Sequence, residues 1–95
     1  MILKDKVALV TGSTSGIGLA IARALAAEGA RVMLHGLGER EANLALKDEL
    51  AALSEDCAGY SDADLSDPEA IDGLVAQCTD ELGSPAILVN NAGVQ

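Results

Sequence analysis

The 95-residue sequence predicts an α/β fold, a doubly wound parallel sheet with the element order β-α-β-α-β-α-β. Three observations carry that expectation. Short, nearly continuous apolar runs alternate with longer segments of helical period, the pattern of strands covered on both faces by crossover helices. The stretch VTGSTSGIGLA, Val10 to Ala20, packs glycines and hydroxyl residues between the first apolar run and the first helical segment. No internal repeat or low-complexity linker breaks the alternation.

Each element has its own signal. KVALVT, Lys6 to Thr11, is β-branched and apolar, is bounded by Gly12, and predicts strand one. From Gly16 the period changes. Ile17, Ala20, Ile21, Ala24 and Leu25 fall at i, i+3, i+4, i+7 and i+8, with Gly29 as a C′ stop, which predicts helix one. RVMLHG repeats the strand signature. Ala42, Leu46, Leu50 and Leu53 then mark the inner face of helix two, whose other face carries Glu39, Arg40, Lys47, Asp48 and Glu49. CAGYSDADL holds strand three. Asp67 suits an N-cap and Pro68 the first helical position, and Ile71, Leu74, Val75, Cys78 and Leu82 form the stripe of helix three before Gly83 and Pro85 end it. AILVNN supplies strand four, and right-handed crossovers place helices on both sheet faces.

Composition narrows the function. Hydrophobic residues make up 49% of the chain, and with Tyr60 as the sole aromatic residue the core must be built from Leu, Ile, Val and Ala. Six Lys and Arg against 15 Asp and Glu give a net charge of −9, with no basic cluster able to neutralise several phosphates, so a nucleic acid partner is not expected. The opening MILKDKVALVTG carries Lys4, Asp5 and Lys6 before a short apolar run, which fits neither a signal peptide nor a membrane span; the expectation is a cytoplasmic protein. Cys57 and Cys78 form no CxxC and the chain has one His, which argues against zinc or a disulfide framework and for ordinary core or half-buried thiols.

The glycine-rich stretch stands where a doubly wound sheet turns a helix N-terminus, with its partial positive charge and unsatisfied N–H groups, toward a pyrophosphate. In a Rossmann-type sheet of that kind the strand order is 3-2-1-4. Gly12 allows the tight turn, Gly16 lets backbone approach phosphate, and Gly18 permits close packing of helix on strand, while Ser13, Thr14 and Ser15 add hydroxyl donors. The spacing G-x-x-x-G-x-G differs from the G-x-G-x-x-G of the common dinucleotide fingerprint. The alternative is a glycine-rich turn that serves packing alone.

TGSTSGIG, Thr11 to Gly18, resembles the TGxxxGxG cofactor motif of the short-chain dehydrogenase/reductase family. NNAG, Asn90 to Gly93, resembles that family's second N-terminal signature, and DADLSDPEAI is similar to its third-strand region. The resemblance covers the whole chain, and within the family VALVTGSTSGIGLAIARALAAEGA, HGLG, ADLSDPEAI and NNAGVQ are most similar to bacterial 3-hydroxybutyrate dehydrogenases. It implies that residues 1–95 are the N-terminal dinucleotide-binding half of a single Rossmann-type domain, truncated after the fourth strand. The implied cofactor-binding residues begin with Gly12, Ser13, Thr14, Ser15, Gly16, Ile17 and Gly18, which hold pyrophosphate and adenosine ribose, and continue with Leu37 after strand two. Asp64 would accept from the adenine amino group beside Leu65, and Asn90, Asn91, Ala92 and Gly93 would line the path toward the nicotinamide ribose. For Asp64 the alternative is a solvated carboxylate; for Asn90 and Asn91 it is structural amides tying strand ends together.

Strand two ends in LHGLGER, where Gly36, Leu37 and Gly38 offer no carboxylate for the ribose hydroxyls and Glu39 comes late. Ser13 to Ser15 are neutral and only Arg40 could meet a 2′-phosphate, so the balance favours NAD over NADP. His35 is expected to be packed or hydrogen-bonded rather than catalytic. The family's proton relay of Tyr, a Lys four residues later and Ser lies beyond the NNAG segment, and Tyr60 is followed four residues later by Asp64, so no catalytic residue is expected in this chain. The resemblance therefore implies a full-length parent that transfers hydride between a secondary alcohol and nicotinamide, with 3-hydroxybutyrate as favoured substrate, and that forms a homo-oligomer. The chain alone is expected to leave the edge of strand four and the helix-three stripe uncovered and to be inactive. The alternative is a non-catalytic nucleotide-binding or interaction module.

Overall fold

The computed structural model describes residues 2–55 and 57–91. Within them the chain runs β1 (Val7–Val10), α1 (Gly16–Ala27), β2 (Arg31–His35), α2 (Arg40–Ala51), β3 (Ala58–Ser61), α3 (Pro68–Glu81) and β4 (Ile87–Val89). The strands are parallel in the order β3-β2-β1-β4, with Ala8 opposite both Val32 and Ile87 and Leu34 opposite both Val10 and Tyr60.

Continuous apolar strands are needed because alternate side chains enter different cores. Ala8, Val10, Val32 and Leu34 meet Ala22 and Ala26 of α1 and Leu50 of α2 on one face. Val7, Leu9 and Met33 meet Leu74, Cys78 and Leu82 on the other. Three layers result, with α1 and α2 on one side of the sheet and α3 on the other. Cys57 is half-buried and Cys78 buried, both as free thiols, and burial together with the Glu81 carboxylate pushes the Cys78 thiol up from its usual range. Among the described residues no helix is long and apolar enough to cross a membrane.

The ends of α3 follow the sequence signals. The Glu69 N–H donates to Asp67 Oδ1 at 3.0 Å with Pro68 at the first helical position, and the Gly83 N–H donates to the Cys78 and Thr79 carbonyls with φ at 117°. Gly29 closes α1 with φ at 92°.

The inward faces of the helices differ from the apolar periodicity. On α1 the buried residues are Gly18, Ala22 and Ala26, flanked by half-buried Ile21 and Leu25, while Ile17, Ala20 and Ala24 are exposed. The sheet approaches this helix so closely that only small residues fit between them, so the largest side chains lie off the contact line. On α2 the buried positions are Asn43 and Leu50, with Leu46 half-buried and Ala42 and Leu53 exposed; Asn43 turns inward because a buried hydroxyl partners its amide. On α3, Leu74 and Cys78 are buried, as is Leu82 at the cap, whereas Ile71 and Val75 are exposed at 44% and 41%. With Leu88 of β4 they form an apolar surface beside the edge strand of the described sheet.

Candidate functional site

Parallel strands deliver their C-terminal ends to one edge of the sheet, and there the turns after β1, β2, β3 and β4 converge. The turn after β1 is the glycine-rich stretch. Gly16 has φ at +57°, a left-handed conformation that costs a residue with a side chain roughly 1–2 kcal/mol. A Cβ added there would meet nothing within 4 Å. Gly18 is the opposite case. Its Cβ would fall on the Gly12 carbonyl oxygen and 2.6 Å from Asn91 Nδ2, so the absence of a side chain lets α1 settle on the turn.

Ser15 is the extended N-cap of α1, and its side chain makes no capping hydrogen bond. The first bond of the helix runs from the Leu19 N–H to the Ser15 carbonyl at 3.2 Å, which leaves the N–H groups of Gly16, Ile17 and Gly18 without intrahelical acceptors. Ser15, Gly16 and Ile17 are exposed, and no charged residue lies in the Thr11 to Gly18 stretch. An uncapped, uncharged, accessible helix N-terminus attracts an anion through its dipole and its amides.

Ser13 lies elsewhere. It is completely buried, its Oγ accepts from the His35 N–H at 2.9 Å, and its own N–H donates to the His35 carbonyl at 2.7 Å. The expectation that its hydroxyl adds a phosphate donor is thereby corrected, since these bonds fasten the turn to β2. Thr14 is half-buried with its side chain against Gly36, where a Cβ would collide with it.

Leu37, in the turn after β2, is 64% exposed. That turn is supported from beneath by two residues the sequence did not single out for the purpose. The Tyr60 hydroxyl donates to the Gly36 carbonyl at 2.7 Å, and Asn43 Nδ2 donates to the Tyr60 oxygen at 3.0 Å. The signal available in the sequence was the lone aromatic residue in a core otherwise aliphatic, because a buried phenol needs a hydrogen-bond partner. Arg40 Nη1 stands 3.9 Å from Asp62 Oδ2, exposed on both sides.

Beyond β3, Asp64 is exposed and Leu65 half-buried against the α3 core. The Ser66 hydroxyl at 2.7 Å and the Ser66 N–H at 3.0 Å both donate to Asp64 Oδ1 and hold its carboxyl below the usual carboxylate range, keeping it an ionised acceptor. After β4, the Asn91 N–H donates to Thr11 Oγ1 and Asn91 Nδ2 donates to the Gly12 carbonyl, each at 3.0 Å, so this amide ties the end of β4 to the glycine turn. Asn90 is exposed, with its Oδ1 3.4 Å from Thr11 Oγ1. Ala92 and Gly93 lie outside the described residues. A largely apolar cleft of about 190 Å³ between α3 and β4 brings Leu65 and Asn90 together with Leu74 and Leu88.

The uncapped helix N-terminus, the ionised Asp64 carboxylate and the apolar cleft thus lie along one edge of the sheet. A family profile described as short chain dehydrogenase matches residues 6–95. A D-beta-hydroxybutyrate dehydrogenase of Rhizobium meliloti (strain 1021) is 48% identical over 90 residues, covering 95% of this chain and 35% of that protein. A protein of the same name from Cupriavidus necator is 46% identical over 94 residues, covering 98% of this chain and again 35% of the relative. The chain thus spans about a third of the length of these relatives. Among solved structures, a short chain dehydrogenase from Burkholderia cenocepacia J2315 in complex with NADP superposes with a TM-score of 0.88 at 42% identity, covering 96% of this chain and 37% of the other. With 90 contiguous residues matching the family and the sheet in the order 3-2-1-4, this chain belongs to the short chain dehydrogenases.

Proposed function

We propose that the chain is the dinucleotide-binding part of an oxidoreductase that transfers hydride between a secondary alcohol and a nicotinamide cofactor, with NAD preferred and 3-hydroxybutyrate as substrate. The observation that carries the reading is the N-terminus of α1, where three N–H groups lack intrahelical acceptors, no side chain among the described residues caps them, and the space beside Gly16 is open. When bound, nicotinamide supplies the hydride acceptor. The chain's own residues bind and orient. Gly16, Ile17 and Gly18 offer amides to the pyrophosphate with Ser15 and Thr14 at the rim, Asp64 accepts from the adenine amino group, and Leu65 gives the base an apolar surface. Leu37 borders the adenosine ribose, and Asn90 to Gly93 continue toward the nicotinamide ribose.

NAD is preferred because the end of β2 offers a 2′-phosphate little: Leu37 is apolar, and the one nearby guanidinium, of Arg40, stands 3.9 Å from the Asp62 carboxylate. The substrate rests on the two hydroxybutyrate dehydrogenase relatives. Acid/base catalysis is assigned to residues other than those of this chain, because its one tyrosine, Tyr60, has its hydroxyl buried between Gly36 and Asn43. Steady-state assays of the protein carrying this chain, with NAD and NADP over a panel of hydroxy acids, should show NADH formed fastest from 3-hydroxybutyrate. A clear NADP preference refutes the cofactor assignment, and a faster alternative hydroxy acid refutes the substrate.

A further inference from the structure

His35 ends β2 and is 4% exposed, yet all four of its polar groups are bonded. Nδ1 accepts from the Gly12 N–H at 3.0 Å, and Nε2 lies 2.8 Å from the Ala63 carbonyl oxygen. An amide N–H only donates and a carbonyl only accepts. The two partners therefore select the neutral ring with its hydrogen on Nε2. The His35 backbone is paired in both directions with Ser13. One side chain thus spans two turns that are not neighbours in sequence, the glycine turn at Gly12 and the loop after β3 at Ala63, directly before Asp64 and Leu65.

We propose that His35 is a positioning residue for the dinucleotide: as its Nε2–H tautomer it fixes the phosphate-binding turn relative to the adenine-side loop, so that one ligand meets both. The proposal rests on the dinucleotide reading above. Each clamp bonds a backbone group that has no other hydrogen-bond partner among the described residues, and each acts on a different part of the site. The Nδ1 lone pair holds Gly12 and, through it, the approach of Gly18 and α1. The Nε2 hydrogen holds Ala63 and, through it, the start of the Asp64 turn. Two replacements separate the clamps by chemistry: an asparagine amide can put its oxygen near the place of Nδ1, and a glutamine amide can put its N–H near the place of Nε2.

The test combines a spectrum with a crossed binding experiment. Long-range nitrogen–proton NMR of the imidazole in the unaltered protein should show a single neutral Nε2–H tautomer. His35→Asn should bind inorganic pyrophosphate within about threefold of the parent and adenosine about tenfold more weakly, and His35→Gln should show the reverse, with ADP-ribose about tenfold weaker in both. A residue that only supports the fold would weaken both fragments alike in both variants, and that result overturns the proposal, as does an Nδ1–H or exchanging tautomer, or affinities unchanged throughout. A parent protein that binds none of the three ligands refutes the dinucleotide reading instead, and with it the ligand for which His35 is proposed to act.

Discussion

Replacing Gly18 with alanine puts one methyl group at the tightest point of the molecule. The added carbon would lie on the Gly12 carbonyl oxygen and 2.6 Å from Asn91 Nδ2. Neither neighbour yields easily. The carbonyl belongs to a turn whose Gly12 N–H is held by His35, and the amide is itself bonded to that carbonyl at 3.0 Å. Overpacking of this kind costs about 1–3 kcal/mol. Displacement of Asn91 adds the loss of a partly buried hydrogen bond, about 1 kcal/mol. The sum, roughly 2–4 kcal/mol, should lower the urea midpoint by about 1–2 M for a denaturant slope near 2 kcal/mol/M. The assay is equilibrium urea unfolding followed by circular dichroism in the protein carrying this chain. Asn91→Ala serves as a second background. It removes the side chain that would have to move, so Gly18→Ala should cost less there than in the parent, though still something because the carbonyl remains. A midpoint unchanged by Gly18→Ala would refute the close seating of α1 on the turn, and identical costs in the two backgrounds would refute the part assigned to Asn91.

Gly16→Val should abolish dinucleotide binding, since the branched side chain projects into the open space before α1 and also disfavours the left-handed φ of +57° that shapes the turn; unchanged NAD affinity by calorimetry would remove the phosphate role from this turn. Tyr60→Phe leaves the Gly36 carbonyl without its phenolic donor and Asn43 Nδ2 with only its 3.4 Å bond to the Leu37 carbonyl, and should cost about 1–3 kcal/mol in urea unfolding; an unchanged midpoint contradicts the support assigned to the phenol. Ser66→Ala should raise the Asp64 carboxyl toward its ordinary range, read by the pH dependence of its NMR carboxyl shift. The Asp64 value is depressed in the folded chain, so its contribution to stability is present above the unfolded value and fades as pH falls through the folded one; in the variant the contribution is smaller and its fading is complete at higher pH. A carboxyl shift that titrates identically in parent and variant contradicts the Ser66 assignment.

The strands and the ends of α3 were legible in the sequence because each depends on local rules: an apolar run bounded by glycine, an Asp before a Pro, a glycine where the backbone turns left-handed. The strand order came instead from the Rossmann-type fold that the alternation and the glycine turn imply. The inward faces of the helices were less legible. In an alanine-rich helix, apolar periodicity follows the larger side chains, whereas the sheet selects Gly18, Ala22 and Ala26 for their smallness. Polar residues that pair across the fold left even less trace. Asn43 and Tyr60 lie 17 positions apart, and Gly36 and Tyr60 24 apart, and no periodicity connects them. The same holds for the site. The glycine turn and the Asp64 turn are written in contiguous residues, while the buried Ser13 and the double engagement of His35 become visible only when β1 and β2 stand side by side.

The glycine turn is secured from two directions that differ in how far they reach along the chain. His35 grips Gly12 across 23 positions, whereas Asn91 reaches it across 79. Closing the longer loop costs about 1 kcal/mol more chain entropy, and pairing β4 with β1 has to come with it. The first β-α-β unit can therefore shape one side of the turn early in folding, and docking of β4 completes the other. The same carbonyl-bearing turn is thus shaped by one contact within the first β-α-β unit and by one that exists only once β4 has joined β1, so a change at residue 91 is felt at the start of the chain.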